Sequence, residues 1–112
     1  MSERDNRVYL LDILESIEVI EQHLGEMTDY DFQKNLLVQD AVIRRFEIIG
    51  EASSLITADY KNTHQQIEWK LMKAMRNKLA HEYFGVSMIT IFSTAKSELP
   101  LLKEKIQNLL KE

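Results

Sequence analysis

Residues 10–24 read Leu-Leu-Asp-Ile-Leu-Glu-Ser-Ile-Glu-Val-Ile-Glu-Gln-His-Leu. Within this stretch Leu10, Ile13, Ile17, Ile20 and Leu24 recur at intervals of three and four, which is the period of one helix face and not of a strand. Glu15, Glu18 and Glu21 fall on other faces, and Gly25 is placed to stop the helix by taking a left-handed conformation. The same reading extends along the chain. Thr28 precedes Asp-Tyr-Asp, a capping-box pattern, and a long second helix is expected from about Asp29 to about Thr57. Its inner face would carry Phe32, Leu36, Ile43, Phe46, Ile49 and Ile56, with Gly50 admitted by close packing against a neighbour.

Residues 58–66 are polar and turn-prone and read as the long connection. Thr63 with Gln66 is placed to cap a third helix carrying Ile67, Leu71, Met75 and Leu79, which should end at Phe84-Gly85. Ser87 can cap a fourth helix carrying Met88, Ile91, Ala95, Leu99, Leu102, Ile106 and Leu109. Pro100 lacks a backbone donor, so a kink or break is expected at 96–100. The expected fold is all-α, an up-and-down four-helix bundle with room for a short fifth helix after Pro100. Residues 1–112 are expected to form one domain.

Composition narrows the chemistry. Three Gly and one Pro leave few sites for the tight turns of a sandwich or barrel. The absence of Cys removes disulfide scaffolds, zinc fingers and thiol catalysis. Three scattered His make a dedicated metal site an unexpected use of this chain, so neither metal nor cofactor is expected. The charged N-terminus does not resemble a secretion signal, and no apolar run approaches the roughly 18 residues of a membrane span. A cytoplasmic protein is expected.

The net charge of −4 disfavours a general nucleic-acid coat, but it conceals an asymmetry. Residues 1–27 hold seven acidic and two basic side chains, whereas residues 69–81 hold Lys70, Lys73, Arg76 and Lys78 with no acid. That strip reads either as a solvated helix face or as a place for phosphates.

The segment Arg76-Asn77-Lys78-Leu79-Ala80-His81-Glu82-Tyr83 lies in it. Asn77 and His81 share a helix face, while Arg76 and His81 are roughly 140° apart around the axis. One regular helix would not aim both at one small substrate. Two copies packed antiparallel would, because the Arg of each approaches the His of the other, so a two-fold interface is the natural place for a site. His81, in the last turn expected for its helix, can exchange a proton near neutral pH. The Arg76 guanidinium forms a fork suited to phosphate oxygens. A phosphate clamp and a general acid–base together suffice to cleave RNA at its 2′-hydroxyl, a reaction closed to DNA.

The chain resembles the HepT toxins, small members of the HEPN superfamily, whose signature is Arg, four residues, His, any residue, Tyr. Here that signature is Arg76, His81 and Tyr83, with Asn77 as the polar residue after the Arg. The likeness runs almost end to end, through Ile13-Leu-Glu-Ser-Ile, Gly50-Glu51-Ala52, Trp69 and Leu99-Pro100. It implies a homodimeric, metal-independent ribonuclease with a composite cleft, in which Arg76 and His81 are catalytic. It also implies a partner nucleotidyltransferase antitoxin, MNT, that transfers AMP to Tyr83. Two positions depart from the family pattern. Glu68 stands where Pro is usual before Trp69, and Ser87-Met88 replaces the acid common after Phe-Gly.

Arg44 and Glu51 match family positions on the second helix, and Glu51 could orient Arg76 through a buried ion pair. Lys73 and Lys78 are expected to attract RNA. Arg45, His23 and His64 read as surface residues, and Trp69 as a core or interface anchor. The competing reading is a catalytically weak helical module that binds nucleotide or partner and is modified by a nucleotidyltransferase. A third is a plain dimerisation domain.

Overall fold

The computed structural model describes residues 3–73 and 88–112. Every regular element among them is a helix, so the all-α expectation holds. Helix α1 (Glu3–Leu24) buries the stripe read from sequence, with Ile13, Ile17 and Ile20 wholly inaccessible. It stops at Gly25, whose φ of 49° is the left-handed conformation that a side chain disfavours. The Gly25 amide still donates to the Glu21 carbonyl at 2.9 Å.

The expected single helix from Asp29 to Thr57 is two. Helix α2 (Asp29–Gln33) opens on a complete capping box: the Asp31 amide donates to Thr28 Oγ1 at 3.1 Å, and the Thr28 amide donates to the Asp31 carboxylate at 3.2 Å. Helix α3 (Leu36–Leu55) then starts afresh, because Asn35 Oδ1 accepts from the Val38 amide at 3.0 Å. The Gln39 amide group donates to the carbonyls of Phe32 at 2.8 Å and Gln33 at 3.0 Å. Two side chains thus satisfy the groups that a break exposes, which is why the break is tolerated inside the core. Phe32 is fully buried before the break, but Leu36 is 69% exposed after it, against the expected inward placement. Ile43, Phe46, Ile49 and Ile56 are buried as expected. Gly50 is buried as well.

The connection at 58–66 contains a short helix, α4 (Ala58–Thr63). Its position follows from one side chain. Asn6, 3% exposed on α1, donates to Thr57 Oγ1 at 3.1 Å and accepts from the Thr57 amide at 3.0 Å, while Thr57 Oγ1 caps α4 at Tyr60. The N-terminal end of α1 is thereby pinned to the turn that follows α3, and the two helices run antiparallel.

Helix α5 begins at 69, later than the Thr63–Gln66 cap predicts, and is helical to 73. The Glu68 carbonyl accepts from the Met72 amide, whereas Thr63 Oγ1 turns back to the carbonyls of Asp59 and Tyr60. The later start rotates the inner face: Trp69 and Met72 are buried, Ile67 is buried in the preceding turn, and Leu71 is 47% exposed. Met75, Leu79, Phe84, Gly85 and Ser87 lie outside the described residues.

Helices α6 (Met88–Ser97) and α7 (Leu99–Leu110) meet at Glu98, confirming the break expected beside Pro100. Pro100 sits in the first turn of α7, where its missing N–H has no helical acceptor to lose. At 12 residues, α7 is longer than the short piece expected. It runs antiparallel to α1, with Lys103 Nζ 2.8 Å from the Glu21 carboxylate and Arg7 Nη1 donating to the Leu110 carbonyl at 2.9 Å. Helix α6 closes over α2 through the Phe32 and Phe92 rings, whose centroids are 5.4 Å apart. No described helix is long and apolar enough to cross a membrane.

Replacing Thr28 with Ala removes one arm of the capping box and should cost about 1 kcal/mol. Urea unfolding with an unchanged slope checks it. A midpoint equal to wild type would show that the box contributes nothing measurable.

Candidate nucleic-acid interface

The motif residues Arg76, Asn77, Lys78, His81 and Tyr83 lie outside the described residues. What the structure describes is the approach to them. Helix α5 opens at Trp69, and its first turns carry Lys70 and Lys73, both exposed. Three residues apart, these two lysines stand side by side on the helix surface.

Trp69 anchors this opening turn. It is 8% exposed, its indole N–H donates to the His64 carbonyl at 3.0 Å, and the Tyr60 ring meets it edge-on at 6.4 Å. The anchor reading therefore holds, and the buried ring offers no face for a base to stack on. His64, expected at the surface, is half-buried and held by several partners. Its ring stacks on Tyr60 at 3.9 Å, Nδ1 lies 2.9 Å from the Tyr60 carbonyl, and Nε2 lies 3.2 Å from a Glu112 carboxylate oxygen. The end of the chain is thus tied to α4. His23 is exposed, as expected.

Lys61 on α4 was not singled out by the sequence, because it falls in a polar stretch with no helical periodicity to orient it. Its ammonium stands 6.0 Å from the centre of the Trp69 ring. Burial, and then the positive charge of Lys73, hold its pKa below the ordinary lysine value. The sign of the linkage follows. Protonated Lys61 is disfavoured by folding at neutral pH, and the penalty is released as pH rises through its folded pKa.

On α3, Arg44 and Glu51 are seven residues apart and so share a face. Arg44 is largely exposed and lies 3.8 Å from Glu47. Glu51 is exposed too, so within one chain its carboxylate is not in the buried setting expected for an ion pair with Arg76. Arg45 is half-buried, contrary to the solvated reading. No group of three or more His, Cys, Asp or Glu among the described residues could hold a metal ion.

The described helices form an all-α bundle in which α5 opens with two exposed lysines, in keeping with the all-α fold that the resemblance implies. The comparisons agree. A family model described as Ribonuclease HepT-like matches residues 13–109. The chain is 45% identical over 108 residues to "Probable ribonuclease HepT" of Thermococcus cleftensis, covering 96% of this chain and 98% of that one. It is 36% identical over 107 residues to "Putative RNase MJ1380" of Methanocaldococcus jannaschii, covering 96% and 98%. A longer protein of the same organism, "Gamma-glutamylcyclotransferase and putative RNase MJ0434", is 40% identical over 109 residues. That match takes in 97% of this chain and 49% of the relative. No solved structure shows a significant match. The chain belongs to the HepT-like ribonuclease family.

Proposed function

We propose that this protein is a metal-independent RNA endonuclease and the toxin of a two-component pair. The observation that carries the reading is the family match across residues 13–109, which encloses Arg76, His81 and Tyr83 in their expected spacing. His81 takes the proton of the 2′-hydroxyl, the 2′-oxygen attacks the adjacent phosphorus, and the 5′-oxygen leaves with a proton. Arg76 stabilises the charge that accumulates on the phosphoryl oxygens. The products are a 2′,3′-cyclic phosphate and a 5′-hydroxyl. Asn77 supports this pair, and Lys73 and Lys78 attract the RNA backbone. Arg44 and Glu51 support the site from the exposed face of α3.

The two catalytic groups come from different protomers of a homodimer. Support comes from their five-residue spacing, which a regular helix would turn to different sides, and from exposed Leu71 on α5, an apolar residue available for burial by a second copy. The antitoxin is a nucleotidyltransferase that modifies Tyr83. The tyrosine oxygen attacks the α-phosphorus of ATP, AMP is transferred, and pyrophosphate leaves. A nucleotide two residues from His81 adds bulk and negative charge where an RNA phosphate must sit. The setting is cytoplasmic.

Purified wild type and His81→Ala, each with total RNA in EDTA, test the reading. Cleavage by wild type alone, leaving cyclic phosphate ends, is expected. Intact RNA with a wild-type protein whose mass shows no added AMP would overturn it in favour of a binding module.

A further inference from the structure

A cleft separates the N-terminal part of α1 from α4, and the last turn of α7 bounds it on the third side. It encloses about 800 Å³, within the range of small-molecule sites. Buried Leu10 and Leu109 give it an apolar floor. Two side chains with strong donor groups stand on different walls, Arg7 on α1 and His64 after α4.

Both donors already hold oxygen atoms. Arg7 is exposed and gives one of its five N–H groups to the Leu110 carbonyl at 2.9 Å. His64 is fixed from behind, for Tyr60 stacks on its ring at 3.9 Å and Nδ1 lies 2.9 Å from both the Tyr60 carbonyl and Thr63 Oγ1. Nε2 points the other way, 3.2 Å from a Glu112 carboxylate oxygen. A carboxylate only accepts, so Nε2 presents its N–H there. The two members of this contact are not equally held. The His64 side chain is 18% exposed, whereas that of Glu112 is 61% exposed and leaves the turn after α7. The imidazole is the built half, and the carboxylate is an occupant that another oxyanion can replace.

We propose that this cleft binds a small phosphate monoester of a hydroxylated ring, a sugar phosphate or a nucleoside monophosphate, whose phosphate takes the place of the Glu112 carboxylate between His64 and Arg7. A phosphate suits the pair because it offers three acceptor oxygens, enough for the guanidinium fork and the imidazole N–H together. Asp59, exposed on the α4 rim, accepts from the ring hydroxyls, and Leu10 and Leu109 cover the carbon face of the ring. With Asp59 and Glu112 both on the rim, a bare phosphate ion is disfavoured and the hydroxylated body has to contribute. The site uses no residue of the Arg76–Tyr83 motif and stands independently of the nuclease reading.

The test is calorimetric titration of the full chain with ribose 5-phosphate, AMP, ribose and inorganic phosphate at one pH and salt concentration. Both esters should bind, and ribose and inorganic phosphate should bind at least about tenfold more weakly, the scale of a lost charge-assisted hydrogen bond. Arg7→Gln and His64→Gln should each weaken the esters by about tenfold. Glu112→Ala should tighten them about two- to fivefold, the worth of an exposed ion pair. Lys96→Gln should change nothing, since Lys96 bonds the Gly25 carbonyl at the other end of α1. Tighter binding by Glu112→Ala cannot come from a damaged fold, and a contact that merely braces the bundle predicts none. AMP bound far more tightly than ribose 5-phosphate assigns a nucleotide, and equal affinity assigns a sugar phosphate. Neither ester binding at about 10 mM would overturn the site. So would Glu112→Ala protein that binds no better than wild type, or binding that ignores Arg7→Gln and His64→Gln and is lost in Arg76→Ala.

Discussion

Arg76→Ala and His81→Ala proteins, each inactive alone, are expected to recover about a quarter of wild-type RNA cleavage when their subunits are mixed. Each substitution by itself should lower kcat/KM by about 10²- to 10³-fold, the usual loss when one charge-stabilising group or one general acid–base is removed. Recovery follows from two-fold geometry. In a mixed dimer one cleft lacks both groups and the other has both, because each cleft takes its Arg from one protomer and its His from the other. Random exchange makes about half the dimers mixed, and each has one working cleft of two. A site built within a single chain would recover nothing, since every protomer then lacks one partner. Mixed dimers verified by mass spectrometry but still inactive would therefore exclude the composite cleft while leaving the nuclease itself open to the EDTA test.

The proposed chemistry is legible mainly as a spacing. Arg76, Asn77, His81 and Tyr83 declare themselves because their residue types and intervals are those of a recurring arrangement, and an interval survives any error about where a helix starts. The surroundings were less legible. Lys61 was missed because its orientation depends on Asn6, a residue 51 positions from Thr57 in the chain. His64 reads as a surface residue because nothing local announces that Glu112 reaches it. Both are long-range polar contacts, and periodicity carries no information about those.

For the fold, the first helix was read almost residue by residue, since its stripe is unbroken and Gly25 ends it. The second was not. Asn35 and Gln39 look like ordinary polar residues on the outer face of a continuous helix, but their amide groups compete for backbone partners and make a break affordable. The third helix shows the same weakness at its start, where a plausible Thr63 cap lost to Glu68. In each case the hydrophobic period is correct within an element, and the phase is lost where side chains bond to the backbone.

That difference gives the second large effect. Ile17→Ala should destabilise the fold by about 2–5 kcal/mol, because Ile17 has no exposed surface and its removal leaves a hole between α1 and its neighbours that rigid helices fill poorly. A domain of this size is stable by roughly 5–15 kcal/mol, so a large part of the margin goes. Leu36→Ala provides the contrast. A helix unbroken from Asp29 would turn Leu36 inward and make its loss comparably severe, but the restart at Asn35 leaves Leu36 69% exposed. Its substitution should stay within about 0.5 kcal/mol of wild type. Urea midpoints of the two variants decide the matter. A Leu36→Ala protein as weakened as Ile17→Ala would mean that α2 and α3 are one helix in solution, or that a second copy of the chain buries Leu36. Repeating the melt across a range of protein concentrations separates these, since only burial by a second copy makes the loss depend on concentration.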